Sequence, residues 1–355
     1  MALARGAALT QSDVDEAGPP LAAEEGLAPD GAAGVGPYRL AFAKLRRDRA
    51  AIGGGVFFLM VVLCCLAAPL YAEYVAHTGP NTEHITETVR VGGKMRDVVS
   101  MIGIPIGPTW HSRFFFGADF NGRDVAVRLL YGGRTSLLIG FSATLITMVS
   151  ATVVALLAGF YRGWVDSVLA RMLDIIWAFP AVLLGVAIGT TLNLGGLSIG
   201  PLVINSGSLA IPALIIGFVN LPYVAKPLRG QVIAIREREF VQAARTLNES
   251  PLRIMLSEIL PNISSTIVIF VPLMIANSIL LEAALSFLGA GVQAPNASWG
   301  TLISDGVQLV TSSPSLLLVP GLALVLTVLS INLFGEGVRD ALDPHVNKRR
   351  KWPAS

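Results

Sequence analysis

The side chains able to do chemistry in this 355-residue chain are few and scattered. Glu282 is the one carboxylate set deep in a long apolar stretch, where an ionisable group either lines a pathway or reaches back to the polar end of its helix. His77, His84, His111 and His345 all lie outside the apolar stretches, and none forms the His-Glu-x-x-His pair that would hold zinc. No Gly-x-x-x-x-Gly-Lys-Ser/Thr loop is present to cradle a nucleotide phosphate, so the chain has no recognisable means of hydrolysing ATP itself. No Ser or Cys has a convincing base partner. Cys64 and Cys65 are neighbours and point in different directions on a helix, which suits packing and not a disulfide or a metal. An intramembrane hydrolase therefore has no site, and a proton-driven carrier lacks its set of midplane carboxylates.

What remains is a polar, Arg-rich segment between long apolar stretches, running from 237 to 253. Phe240, Ala243, Ala244 and Leu247 fall at i, i+3, i+4 and i+7 and so read as one apolar helix face. Two of the four are alanines, so the face is shallow enough for another protein to approach closely. Asn248 suits the left-handed residue that ends a helix. Ser250 then reads as the N-cap of a second helix with Pro251 at its first position. The segment is thus expected to be a preformed helical hairpin, with a docking knob and a plain amphipathic loop as the two readings of it.

The elements that must position it are apolar. Hydrophobic residues make up 53% of the chain and charged ones 14%, which no soluble chain of this length would carry. Residues 50–72, 135–161, 175–225, 259–281 and 306–335 contain no Asp, Glu, Lys or Arg. A span needs about 20 apolar residues, and the run 175–225 holds two, divided around Asn193, Gly200, Pro201 and Gly207. The expectation is an all-α integral membrane protein with six transmembrane helices near 51–73, 135–160, 168–191, 209–227, 261–287 and 315–336. Residues 1–36, rich in Ala, Gly, Pro and acidic side chains without periodicity, read as a disordered cytoplasmic tail. A basic cytoplasmic segment follows at 37–50, then the first span, an extracytoplasmic loop at 74–134, a permease core at 135–345 and a basic tail at 346–355. The first apolar run is long enough to stay as an anchor, so no cleaved signal peptide is expected.

Orientation follows from Lys and Arg in the short flanks. Lys44, Arg46, Arg47 and Arg49 precede the first span; Arg162 and Arg171 flank the next short segment; Lys226, Arg229, Arg236, Arg238, Arg245 and Arg253 cluster near the hairpin; Arg339, Lys348, Arg349, Arg350 and Lys351 follow the last span. The segments 192–208 and 288–314 hold no basic residue. Both termini and the hairpin are therefore expected in the cytosol.

The hairpin resembles the coupling-loop motif of bacterial ABC importer permeases. Gln242-Ala243-Ala244 stands where Glu-Ala-Ala is usual, Asn248 where Gly is usual, and Leu260-Pro261 where Leu-Pro is usual. Gln keeps the polarity of Glu, and Asn shares Gly's tolerance of positive φ. Further blocks are similar to the C-type permease of dipeptide, oligopeptide and nickel importers: 116–124 with 128–136, Gly163 to Asp166 with Arg171 to Asp174, 285–295 with Ser298-Trp299-Gly300, and Gly335 to Pro344. Together they cover most of 110–345 in the right order.

The resemblance implies a type I ABC importer permease in the bacterial inner (cytoplasmic) membrane, itself non-catalytic. It implies as partners a homologous second permease, two cytosolic ATPases that bind ATP and Mg, and an external solute-binding protein, with no nucleic acid. Peptides are the implied cargo, with nickel complexes and oligosaccharides as alternatives. Glu239, Phe240, Gln242, Ala243, Ala244, Leu247, Asn248, Leu260 and Pro261 are the implied ATPase contacts. A secondary transporter is the competing class, but it has no need of an apolar knob at 237–253.

Asp166 is placed to cap the third helix, and Arg171 and Asp174 are i, i+3 neighbours that can pair. They and Glu282 are the interface or gating candidates, with a structural ion pair as the plainer reading of the first three. Asp119, Arg123 and Asp124 form either a charge-knitted turn or an external docking site. Trp299 reads as a membrane-interface anchor ahead of a substrate platform.

Overall fold

The computed structural model describes residues 37–342, so the expectations for 1–36 and 346–355 lie outside the described residues. The chain is helical, with two short β-hairpins in its loops. Helix α1 (Pro37–Leu45) packs beside the last helix, α13 (Ser315–Leu342). The first apolar helix, α2 (Arg49–Leu66), is capped by Asp48, whose Oδ1 accepts from the amides of Ala50 and Ala51. It is extended by α3 (Ala68–Tyr71) and a wide π turn over Ala72–Ala76.

A loop then carries the strands β1 (Thr88–Val91) and β2 (Lys94–Asp97), paired antiparallel across Gly92-Gly93. Both glycines have positive φ, the backbone that a two-residue hairpin turn requires. The longest helix, α4 (Val125–Tyr161), begins ten residues before the expected 135. The charged residues Arg128 and Arg134 hid this start. At about 1.5 Å per residue the helix is longer than a bilayer core of about 30 Å, so its first turns need not be apolar.

The third expected span is not one helix. Helix α5 (Gly163–Ala178) ends at Phe179, held extended before Pro180, and α6 (Ala181–Gly195) leaves at 92°. The helix breaks at Pro180. Strands β3 (Leu197–Ile199) and β4 (Leu202–Ile204) form the second hairpin. Helices α7 (Ala210–Val219) and α8 (Leu221–Arg236) meet at 42° around Asn220. After α9 (Glu239–Thr246) and α10 (Pro251–Arg253), a π turn at Ile254–Ile259 runs straight into α11 (Leu260–Phe287). The fifth apolar element thus starts at 251 and not at 261. A short helix, α12 (Trp299–Val307), precedes α13. Among the described residues, four helices are long and apolar enough to cross a membrane, and six elements qualify if each bent pair counts as one.

Helix α4 is the central post, packed against α2, α7, α8, α11 and α12. Glycines on it admit neighbours at close range, as small residues do between membrane helices. A Cβ at Gly140 would lie 2.6 Å from Ile279, and one at Gly159 2.5 Å from Val232. The core stacks in three layers along the post. Ile139, Ile211, Ile216 and Leu285 form one end, Met148, Leu173, Leu228 and Met274 the middle, and Leu156, Phe160, Val232 and Ile263 the other end.

Candidate functional site

The hairpin folds as its turn residues dictate. Helix α9 stops at Leu247, and Asn248 takes the left-handed conformation with φ 58°. The Glu249 amide donates to the Ala244 carbonyl at 3.2 Å, satisfying an end carbonyl. Ser250 is extended, and its Oγ accepts from the Arg253 amide at 3.4 Å, with Pro251 opening α10.

The apolar residues of α9 divide between two faces, which corrects the single face expected. Val241 and Ala244 turn inward and share a buried cluster with Val232, Ile254, Met255 and Ile259. Ala244 is only 7% exposed, so it is an internal contact and not a docking residue. Phe240, Ala243 and Leu247, at i, i+3 and i+7, face outward with Glu239 and Gln242. The reason is Val241: a branched chain three residues before Ala244 draws that side of the helix into the body. Leu260 closes the base of the hairpin cluster, and Pro261 stands exposed in the first turn of α11. Between Ile235, Arg238, Phe240 and Asn262 lies a cavity of about 700 Å³. Arg245 is not a free surface charge, since its guanidinium lies 5.1 Å over the Phe160 ring.

Two ion pairs join α5 to α8. Asp166 does not cap its helix; it takes Arg229 bidentately, at 2.5 Å from Nε and 2.6 Å from Nη2. The expected Arg171–Asp174 pair is replaced by Asp174 with Lys226, 2.7 Å apart, while Arg171 is exposed. The Lys226 ammonium also lies 4.7 Å over the ring of Trp177, which in turn stacks on Tyr223 at 4.5 Å. Sequence reasoning missed Lys226, Trp177 and Tyr223. The available signal was that Asp174 and Lys226 bracket the longest charge-free run.

Glu282 is fully buried, and its Oε1 accepts from Ser286 Oγ at 2.6 Å, one turn further along α11. Ser286 Oγ accepts from the Val292 amide at 3.0 Å, so the carboxylate anchors the loop after its own helix.

At the far end the charges are knitted, not displayed. Asp119 takes Arg123 Nε at 2.7 Å and lies 3.4 Å from Arg128 Nε. Asp124 caps α4 through the amides of Ala126 and Val127, and its other oxygen accepts from the Phe114 amide at 2.6 Å. All three expected docking charges here are buried. Asp305 faces this cluster, and burial pushes its carboxyl above the ordinary aspartate range. Trp299 is no interface anchor: it is 1% exposed, and its Nε1 donates to the Leu129 carbonyl at 3.1 Å.

Residues 151–348 match the family described as "Binding-protein-dependent transport system inner membrane component". Residues 36–84 match the "N-terminal TM domain of oligopeptide transport permease C". The chain belongs to the C-type permeases of the dipeptide, oligopeptide and nickel ABC importers. It is 36% identical over 311 residues to the dipeptide transport system permease protein DppC of Alkalihalophilus pseudofirmus, covering 87% of this chain and 90% of that one. It is 30% identical over 308 residues to the glutathione transport system permease protein GsiD of Pectobacterium atrosepticum, covering 87% and 91%. A solved MetNI methionine ABC transporter chain, in an inward-facing form, superposes with a TM-score of 0.47 at 20% identity, over 60% of this chain and 95% of that one. This permease is accordingly a multi-pass membrane protein and a transport component.

Proposed function

We propose that this permease carries di- or oligopeptides inward across a bacterial cytoplasmic membrane, paired with a homologous permease. Six spans with both termini in the cytosol accord with the basic flanks and the two basic-free outer segments. Two cytosolic ATPases hold the nucleotide and Mg, and an external binding protein delivers the cargo. The observation that carries this reading is the hairpin: Phe240, Ala243 and Leu247 stand outward on a helix braced from behind by Val241 and Ala244. A rigid apolar knob left uncovered by the described residues suits a groove on an ATPase.

Closure of the ATPases on ATP draws the two permeases' hairpins together. The permease halves then rotate and open outward to receive the cargo, and hydrolysis restores the inward state. Such a lever works through contacts that differ between two states. Through α10 and the π turn the hairpin is continuous with α11, and the Arg162–Glu237 pair (3.3 Å) ties it to the end of α4, so a push on α9 moves the spans. The test is uptake by the reconstituted four-part complex with binding protein. Labelled dipeptides are expected to enter only with ATP. Entry of nickel complexes or sugars in their place, or uptake that follows pH and ignores ATP, overturns the reading.

A further inference from the structure

The α5–α8 charges sit level with the middle layer of the core. Leu173 and Ile176 on α5, and Leu221, Val224 and Leu228 on α8, share one buried cluster with Met274, which lies at the middle of α11. Asp174, Trp177, Tyr223 and Lys226 are interleaved with those residues and occupy the same level, on the exposed faces of their helices. The Lys226 side chain is 34% exposed and that of Asp174 67%. Lys226 lies ten residues before Arg236, where α8 ends, or about 15 Å along the helix.

Facing lipid, a charge at this level is costly. Facing water, the pair costs almost nothing to expose. The backbone makes the same choice. Phe179 and Pro180, at the 92° break, are exposed, and non-helical backbone at membrane depth survives only inside protein or beside a water-filled cavity. Broken helices that meet near the midplane are where membrane carriers place their cargo sites, and Trp177, just before this break, meets Tyr223, just after the second break at Asn220.

We propose that Asp174, Lys226, Trp177 and Tyr223 form a cargo station in the translocation pathway that takes the two charged ends of a zwitterionic peptide. Lys226 receives the carboxylate and Asp174 the ammonium, while Trp177 and Tyr223 flank the peptide body. A solvated ion pair contributes little to stability, so each partner exchanges the other for a peptide terminus at small cost. Arg229 is held out of this role by its bidentate pair with Asp166. The station rests on the peptide-import reading and specifies which feature of the cargo the permease senses.

The test uses the assembled transporter without ATP, open to the cytosol, so that cargo reaches the station without the binding protein. Phe179→Cys is made with Cys64→Ala and Cys65→Ala, and its labelling by a charged, water-soluble thiol reagent is timed. Labelling is expected, slowed at least threefold by a millimolar free dipeptide but not by the same dipeptide acetylated and amidated at its ends. Adding Lys226→Met or Asp174→Asn is expected to abolish that protection. A thiol that stays unreactive, because lipid or the sister permease covers it, overturns the proposal. So does equal protection by free and blocked dipeptides, or full protection in both charge variants. ATP-dependent dipeptide uptake by the unmodified transporter is measured alongside. Its absence with protection intact defeats peptide import alone, and its presence without protection defeats the station alone.

Discussion

Leu247→Ala isolates the docking knob from the fold that carries it. Leu247 is 76% exposed at the end of α9, so the chain itself gains little from the side chain, and the change is expected to alter folding stability by no more than about 0.5 kcal/mol. An ATPase groove that covers the side chain gains what the chain does not. The substitution removes three carbons, each worth about 0.8 kcal/mol when fully buried, and about three quarters of that area is free to be covered, which gives about 2 kcal/mol. At 1.4 kcal/mol per tenfold, the dissociation constant for the ATPase rises about 30-fold. The assay titrates purified ATPase onto the permease pair in lipid nanodiscs and follows binding by fluorescence anisotropy. Thermal unfolding of the pair is recorded in parallel. A dissociation constant within twofold of the unmodified value, with the melt unchanged, refutes the claim that this face docks.

The two adjacent alanines should separate fold from docking. Ala244→Trp overpacks the cluster with Val232 and Ile254 and is expected to cost the permease about 1–3 kcal/mol or more, read as a lowered melting temperature. Ala243→Trp, on the open face, should leave the melt alone and abolish ATPase co-purification. A cysteine in place of Asn248 should label only from the cytosolic side and one in place of Asn296 only from outside, given the basic residues around the first and their absence around the second. In the loop before α4, the hydrogen bond from His84 and then the Arg113 guanidinium hold the Glu87 carboxyl below its ordinary range. A depressed folded value means the stabilisation is full above the ordinary glutamate range and is lost as pH falls through the depressed value. Amide exchange over 84–99 should therefore accelerate on acidification through that window, and Glu87→Gln should remove the dependence.

How far the sequence could be read depended on the range of each interaction. Apolar runs are local, and each expected span overlaps an apolar helix or a bent helix pair of the structure. Helix ends failed where a charge is neutralised from afar. Arg128 is admitted to α4 by Asp119 nine residues before it and by the Pro80 carbonyl, so a count of charges placed the start of the helix too late. Pro180 was visible, but a proline specifies a break and not its angle. The 92° follows from Phe179 being extended and from where α6 finds its packing, against Ile139, Ile211 and Leu285.

Trp299 failed for a reason of shape. Tryptophan near a span end is ordinarily interfacial, yet here the absent side chain of Gly133 makes room for it, and that of Gly300 lets α12 approach α11. A Cβ at Gly133 would lie 2.7 Å from the indole, and one at Gly300 2.4 Å from the Ala283 carbonyl. Complementarity between residues more than 150 positions apart leaves no periodic trace. At the hairpin the error was of another kind, because the pattern held the answer. The spacing Phe240, Ala243, Leu247 and the spacing Val241, Ala244 are both helical, and a stripe drawn through adjacent alanines merged two faces that lie 100° apart. The branched side chain decides between them, since burying Val241 gains more than burying either alanine. The face left outside is then the one whose contacts the chain does not supply, and that is the face a partner is free to read.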